Sequence, residues 1–134
     1  MLNILVIEDD PRILSLYEQW LLASVPPGSF VSFAPTGERA QFMLDRTQYD
    51  LTFLDLAIPE INGYDLYKRF KDRMGSVVLA SILGDVYKDR MGIPDSRILR
   101  KPFSESDLYK KIEQECHRDH DSKFGREMPK DKAI

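Results

Sequence analysis

Several side chains that could hold a cation and a phosphoryl group stand at the ends of short apolar runs. The polar groups that end the four runs are, in chain order, Glu8, Asp9 and Asp10, then Asp55, then Ser81, and finally Lys101. Continuous apolar runs are typical of strands buried on both faces of a parallel sheet. Because ligands bind at the carboxyl ends of such strands, these polar groups are expected to share one crevice.

The carboxylates in this set predict a site for a divalent cation. Glu8, Asp9 and Asp55 would repel one another, and a hard cation with oxygen ligands relieves that repulsion. Mg²⁺ fits because it keeps several waters and prefers one or two carboxylates plus phosphate oxygens to a full protein cage. An aspartate in such a site can attack a phosphoryl donor and form an acyl phosphate. Lys101 and the hydroxyl of Ser81 would then stabilise the charge on the transferred group.

The segments between the apolar runs have helical periodicity, and this alternation predicts an α/β fold of βαβ units. One helix begins at Pro11, Thr36 caps a second, and a third ends near Gly75. A short fourth helix is predicted over 85–91, and a capping box at 104–107 opens the fifth. The predicted strands lie at 4–7, 30–34, 51–54, 77–80 and 98–100.

Length and composition predict one globular domain. The 134 residues are 43% hydrophobic, which suffices for a buried core. We expect the domain over residues 1–120 and a polar C-terminal tail or linker over 121–134. The net charge of -3, with both signs interspersed, argues against direct DNA binding.

The N-terminus and the cysteine content suggest where the protein works. Glu8 interrupts the first apolar stretch, so no signal peptide is expected, and no segment is long enough for membrane insertion. Cys116 is the single cysteine, which suits a reducing compartment. These features predict a cytoplasmic location. His117 and His120 have no second ligand at a useful spacing, so no metal or catalytic role is expected for them.

Taken together, the motifs resemble the receiver domain of two-component response regulators. The resemblance covers roughly residues 3–118 and is carried by the acidic cluster 8–10, the block 54–63, Ser81 and the Lys-Pro-Phe sequence at 101–103. It implies a flavodoxin-like, doubly wound sheet of five parallel strands in the order 2-1-3-4-5, surrounded by five helices. It also implies a cis peptide bond between Lys101 and Pro102.

The resemblance also implies a role for each residue of the predicted site. Mg²⁺ would be bound directly by Asp9, by Asp55 and by the backbone carbonyl of Ala57, while Glu8 would act through water. Asp55 would be the phosphoacceptor, Lys101 would pair with the phosphoryl group, and Ser81 would be the switch hydroxyl.

The implied function is signalling rather than enzymatic catalysis. A histidine kinase or a histidine phosphotransfer protein would donate the phosphoryl group, and a changed interaction surface would then contact a downstream effector. The cognate kinase, the effector and the oligomeric state stay open, with a homodimer among the options. Whether an output domain follows Ile134 in the natural gene also stays open.

Two positions depart from the pattern of the family and keep an alternative open. Ile98 stands where an aromatic residue usually rotates inward on activation, and Ile82 stands where a small residue usually follows the switch hydroxyl. The alternative is a degenerate receiver that acts as a phosphorylation-independent interaction module. A hydrolytic phosphatase with an aspartyl nucleophile ranks lower. Such enzymes require a second acidic residue two positions after the nucleophile, and this chain has Ala57 there.

Overall fold

The computed structural model describes residues 2–59 and 61–124. Its strands form a parallel sheet in the order β2-β1-β3-β4, and its helices follow the strands in alternation. The strands are β1 Asn3–Ile7, β2 Phe30–Ala34, β3 Leu51–Leu54 and β4 Ser76–Leu79. The helices are α1 Pro11–Ser24, α2 Gly37–Arg46, α3 Gly63–Met74, α4 Gly84–Met91 and α5 Glu105–Phe124, with a short 3-10 helix over Asp95–Arg97.

The core has two layers, one on each face of the sheet. Neighbouring residues of a strand point to opposite faces, so Leu5 and Ile7 join one layer while Ile4 and Val6 join the other. The first layer is closed by apolar residues of α2, α3 and α4, and the second by those of α1 and α5. This arrangement confirms that the apolar runs forming β1, β3 and β4 are strands buried on both faces.

The predicted fifth strand at 98–100 is reduced to a single parallel bridge between Ile98 and Leu79. The Leu99 amide donates to the Leu79 carbonyl at 2.8 Å, so the segment does lie beside β4. The Ile98 amide donates instead to the Asp95 carbonyl at 3.1 Å and ends the 3-10 helix. Pro102 has no amide hydrogen to extend a ladder in the other direction. The α/β fold and its five helices are therefore confirmed for the described residues, whereas the five-strand detail is not.

Polar caps fix where the helices begin. The side chain of Thr36 accepts from the Arg39 amide at 3.0 Å, as predicted for the start of α2. Ser104 and Asp107 bond to each other's amides at 3.0 and 3.1 Å, which is the predicted reciprocal capping box. These caps set where α2 and α5 begin, whereas α4 has no side-chain cap.

The C-terminal helix is longer than the sequence suggested. α5 continues through Phe124, past the predicted domain end at residue 120. The rest of the predicted tail, 125–134, and the side chains of His117 and His120 lie outside the described part of the chain. Among the helices that the structure describes, none is both long enough and apolar enough to cross a membrane.

Candidate phosphoacceptor site

The register of the sheet brings the ends of β1 and β3 side by side. Ile7 pairs with Leu54, so the next residues, Glu8 and Asp55, emerge together at the carboxyl edge. The Asp55 amide donates to the Ile7 carbonyl at 3.0 Å and continues the ladder by one residue. β4 ends in register with β3, which places Ser81 at the same edge. The predicted crevice therefore follows from strands of matched length.

Three carboxylates meet in this crevice. Glu8 is 1% exposed and Asp55 is 5% exposed, whereas Asp9 is open to solvent. Each offers an oxygen, and these oxygens lie within 4.8 Å of one another. The donor set is all hard oxygen and has one side open to water, so it fits a cation such as Mg²⁺ that retains part of its hydration shell.

Asp10 is held differently from the two acidic residues before it. Its carboxylate accepts from the Arg12 amide at 2.9 Å and lies 3.2 Å from the Arg12 guanidinium. It therefore caps α1, and the ion pair with Arg12 lowers its pKa. The structure thus separates a capping residue, Asp10, from the two carboxylates, Glu8 and Asp9, that line the crevice.

Lys101 reaches both buried carboxylates. Its Nζ lies 2.6 Å from Oε1 of Glu8 and 3.0 Å from Oδ2 of Asp55. The peptide bond to Pro102 is cis, which confirms the prediction for this position. Phe103 then packs against Tyr17 and Trp20, with ring centroids 5.5 and 6.2 Å apart. Aromatic packing on α1 therefore anchors the segment that carries the lysine.

Burial and neighbouring charges shift the pKa values of Glu8 and Lys101. Burial raises the pKa of Glu8, and the nearby Lys101 ammonium reduces that rise without cancelling it. Burial alone would lower the pKa of Lys101, but its contacts with Glu8 and Asp55 outweigh burial and raise it. The lysine is therefore a firmly held cation beside the predicted phosphoacceptor.

The raised pKa of Glu8 leads to a prediction about stability. Without divalent cations, Glu8→Gln is expected to increase the free energy of unfolding at neutral pH, because the folded chain favours the uncharged form. When the pKa of an acid is raised in the folded chain, the free energy of unfolding falls as the pH rises above the ordinary pKa of a glutamate. The gain from the substitution should therefore shrink on acidification. Urea unfolding of the parent and the variant with a chelator, at neutral and at mildly acidic pH, measures this difference in the free energy of unfolding. An equal difference at the two pH values would contradict the assigned role of the Glu8 charge.

Ser81 and Ala57 lie at the edge of this arrangement. Ser81 is buried, and its Oγ accepts from the Leu83 amide at 3.1 Å, at the start of α4. The Ala57 amide donates to Oδ1 of Asp55 at 3.1 Å, which orients the carboxylate. The switch role of Ser81 and metal binding by the Ala57 carbonyl stay predictions.

One contact near the site was not indicated by the sequence. Arg100, directly before Lys101, donates to both carboxylate oxygens of Asp85 at 3.0 and 2.7 Å. Asp85 lies in the first turn of α4. This bidentate ion pair connects the lysine-bearing segment to α4. The two residues are fifteen positions apart, and no sequence periodicity links them.

Comparison with known proteins agrees with this geometry. Residues 4–113 match the family model described as the response regulator receiver domain. This chain belongs to that family. An uncharacterized 14.6 kDa protein in the sodA1 3'region of Leptolyngbya boryana is 29% identical over 121 residues, covering 86% of this chain and 90% of that protein. Several other curated relatives are longer, and the receiver chain spans about half of their length.

Solved structures show the same fold. A CheY-like response regulator receiver domain protein from Methanospirillum hungatei superposes with a TM-score of 0.75 at 20% identity, covering 90% of this chain and 97% of that one. The response regulator protein TrrA from Thermotoga maritima, solved in complex with Mg(2+)-BeF, superposes with a TM-score of 0.68 at 27% identity. The match covers 86% of this chain and 99% of that one. The resemblance stated from the motifs is thereby confirmed.

Proposed function

We propose that this receiver takes a phosphoryl group on Asp55 from a histidine kinase or a histidine phosphotransfer protein. The observation that carries the proposal is the pairing of Asp55 Oδ2 with Lys101 Nζ at 3.0 Å, at the carboxyl edge of a parallel sheet. The test is the intact mass of the chain after incubation with acetyl phosphate and Mg²⁺, beside an Asp55→Asn variant. The degenerate alternative is not favoured, because the acceptor, the lysine and the carboxylate cluster are all assembled.

The chemistry of transfer follows from the contacts of Asp55. An oxygen of Asp55 attacks phosphorus, a phosphorus–oxygen bond forms, and the phosphorus–nitrogen bond to the donor histidine breaks. The Ala57 amide fixes Oδ1, and Lys101 offers positive charge to the transferred oxygens. A bound Mg²⁺, held directly by Asp9, Asp55 and the Ala57 carbonyl and by Glu8 through water, would neutralise charge on the phosphoryl group. Positioning and charge stabilisation therefore account for most of the catalysis.

The effect of phosphorylation would reach an effector through α4 and the lysine-bearing segment beside it. Phosphorylation gives Lys101 a new anionic partner, and the adjacent Arg100 carries any shift to Asp85 on α4. Val86 on α4 and Tyr109 on α5 are 65% and 48% exposed. They offer apolar contact area to a downstream effector. Position 98 is an isoleucine and is already buried, so the inward rotation of an aromatic residue cannot contribute here.

Mg²⁺ is expected to stabilise the fold through Asp9 far more than through Asp10. A ligand that binds only the folded chain adds about 2.7 kcal/mol to the free energy of unfolding at a hundred times its dissociation constant. Asp9→Asn should remove most of this gain, whereas Asp10→Asn should retain it, because asparagine still caps α1 and only the ion pair with Arg12 is lost. Chemical denaturation with and without MgCl₂ measures both effects. An equal loss in the two variants would contradict the assignment within the acidic triplet.

A further inference from the structure

The outward face of α2 carries a charge pattern that the phosphoacceptor site does not use. Phe42 lies at its centre with 45% of its surface exposed. Successive helix residues are about 100° apart, so the residues four before and three after Phe42 share one flank. Those three before and four after share the other flank. The first flank is Glu38 and Asp45, and the second is Arg39 and Arg46, so one side is acidic and the other basic.

The contacts of the structure agree with this division. The guanidinium carbons of Arg39 and Arg46 lie 5.0 and 3.6 Å from the centroid of the Phe42 ring, so both arginines pack on the ring. Glu38 and Asp45 are exposed. Within the described part of the chain, no ion pair involves any of these four charged side chains. The face therefore presents an exposed aromatic ring and four charges that lack opposite partners.

We propose that this face binds a second copy of the chain, in a two-fold dimer with parallel α2 helices. In a parallel pair, opposite flanks of the two helices meet, as positions e and g do in parallel coiled coils. Glu38 then faces Arg39 of the second copy, and Asp45 faces Arg46 of the second copy. Symmetry repeats both pairs around a central contact between the two Phe42 rings. An antiparallel pair would instead bring acidic flanks together and basic flanks together.

The position of α2 leaves this face open to a partner. Ala40 and Leu44, which lie on the opposite side of the helix, are buried in the core. α2 packs on β2, the edge strand of the sheet, whereas Ile98 bridges to β4 at the other edge. The dimer would therefore leave α4 and Lys101 uncovered. Because α2 has only ten residues, the interface is small and of the transient class, so dimerisation should depend on concentration.

Sedimentation velocity over a concentration series, without any phosphoryl donor, tests the dimer. The parent should show a concentration-dependent dimer that weakens as NaCl is added. A variant with Arg39→Glu and Arg46→Glu makes both flanks acidic, and a variant with Glu38→Lys and Asp45→Lys makes both basic. Each variant alone should dimerise about tenfold more weakly or worse. Mixing the two should restore dimers, because acidic flanks then meet basic flanks.

Two further variants separate this interface from general effects. Phe42→Ala should weaken the dimer without changing its charge, while Glu113→Lys on α5, which packs on the other side of the sheet, alters net charge outside the face and should leave dimerisation unchanged. Circular dichroism checks that each variant is folded. The proposal is overturned if the parent is monomeric throughout the series, or if mixing the acidic and basic variants restores nothing. Neither result bears on phosphorylation of Asp55, which is measured separately.

Discussion

Incubation with acetyl phosphate and Mg²⁺ is expected to add the mass of one phosphoryl group to the parent chain and none to an Asp55→Asn variant. Asp55 is the acidic residue whose carboxylate contacts both Lys101 Nζ and the Ala57 amide, at 3.0 and 3.1 Å. The amide of asparagine cannot act as the nucleophile, so the loss should be complete. Intact-mass spectrometry reads the result directly. Omitting the divalent cation should also prevent the addition, because the clustered carboxylates would repel an incoming phosphoryl group.

The control for this experiment is an aspartate outside the crevice. Asp72 lies near the end of α3, and its carbonyl accepts from the Gln48 side chain just before β3. α3 returns from the carboxyl edge of the sheet, so Asp72 lies at the opposite end. Asp72→Asn should therefore be phosphorylated like the parent. An adduct that persists on Asp55→Asn, or a parent that stays unmodified even with a histidine kinase as donor, would refute the assignment of the phosphoacceptor.

The sole tryptophan offers a second readout for the same event. Trp20 packs edge-on against Phe103, two residues after Lys101. Because Lys101 contacts Asp55, a new phosphoryl group beside it should alter the surroundings of Phe103 and so the fluorescence of Trp20. The change should follow the mass increase in the parent and be absent from Asp55→Asn.

The sequence was most informative where one strand determines the position of the next. Glu8 and Asp55 could be placed together because each ends a buried run of similar length in a parallel sheet, where neighbouring strands stay in register. The sequence grouped Asp10 with Glu8 and Asp9 in one acidic cluster. The contact with Arg12 shows that Asp10 caps α1, and such a contact depends on side-chain conformation rather than on spacing.

The sequence was less informative where pairing depends on a short segment or on distant charges. The run Ile98-Leu99 is too short to specify a strand by itself, and the amide of Ile98 is already used by the preceding 3-10 helix. The ion pair of Arg100 with Asp85 joins two separate segments beyond the fourth strand. Lys101 was expected to pair with the phosphoryl group on Asp55. Its contact with Glu8 at 2.6 Å shows that it also compensates a buried carboxylate.

The phosphorylated form is expected to lose its phosphoryl group slowly. Hydrolysis of an acyl phosphate needs a water molecule in line with phosphorus, and side chains that hydrogen-bond that water speed the reaction by positioning it. The side chains expected to flank this approach are Ala57, Leu83 and Ile82, and none can hydrogen-bond. Ile82 is 75% exposed beside Ser81, and the Leu83 amide is already bonded to Ser81 Oγ. Replacing Ala57 with Asn and Leu83 with Glu should therefore accelerate decay by roughly tenfold or more.

A decay time course after removal of the donor measures this effect by intact mass, with the parent beside the polar double variant. An apolar double variant, Ala57→Val with Leu83→Met, changes the size of the same side chains without adding a hydrogen-bonding group. If water positioning controls the lifetime, this variant should decay at the rate of the parent, and only the polar variant should be faster. Equal acceleration by both would point to altered packing around Asp55. A parent that decays as fast as the polar variant would show that the apolar rim does not protect the phosphoryl group.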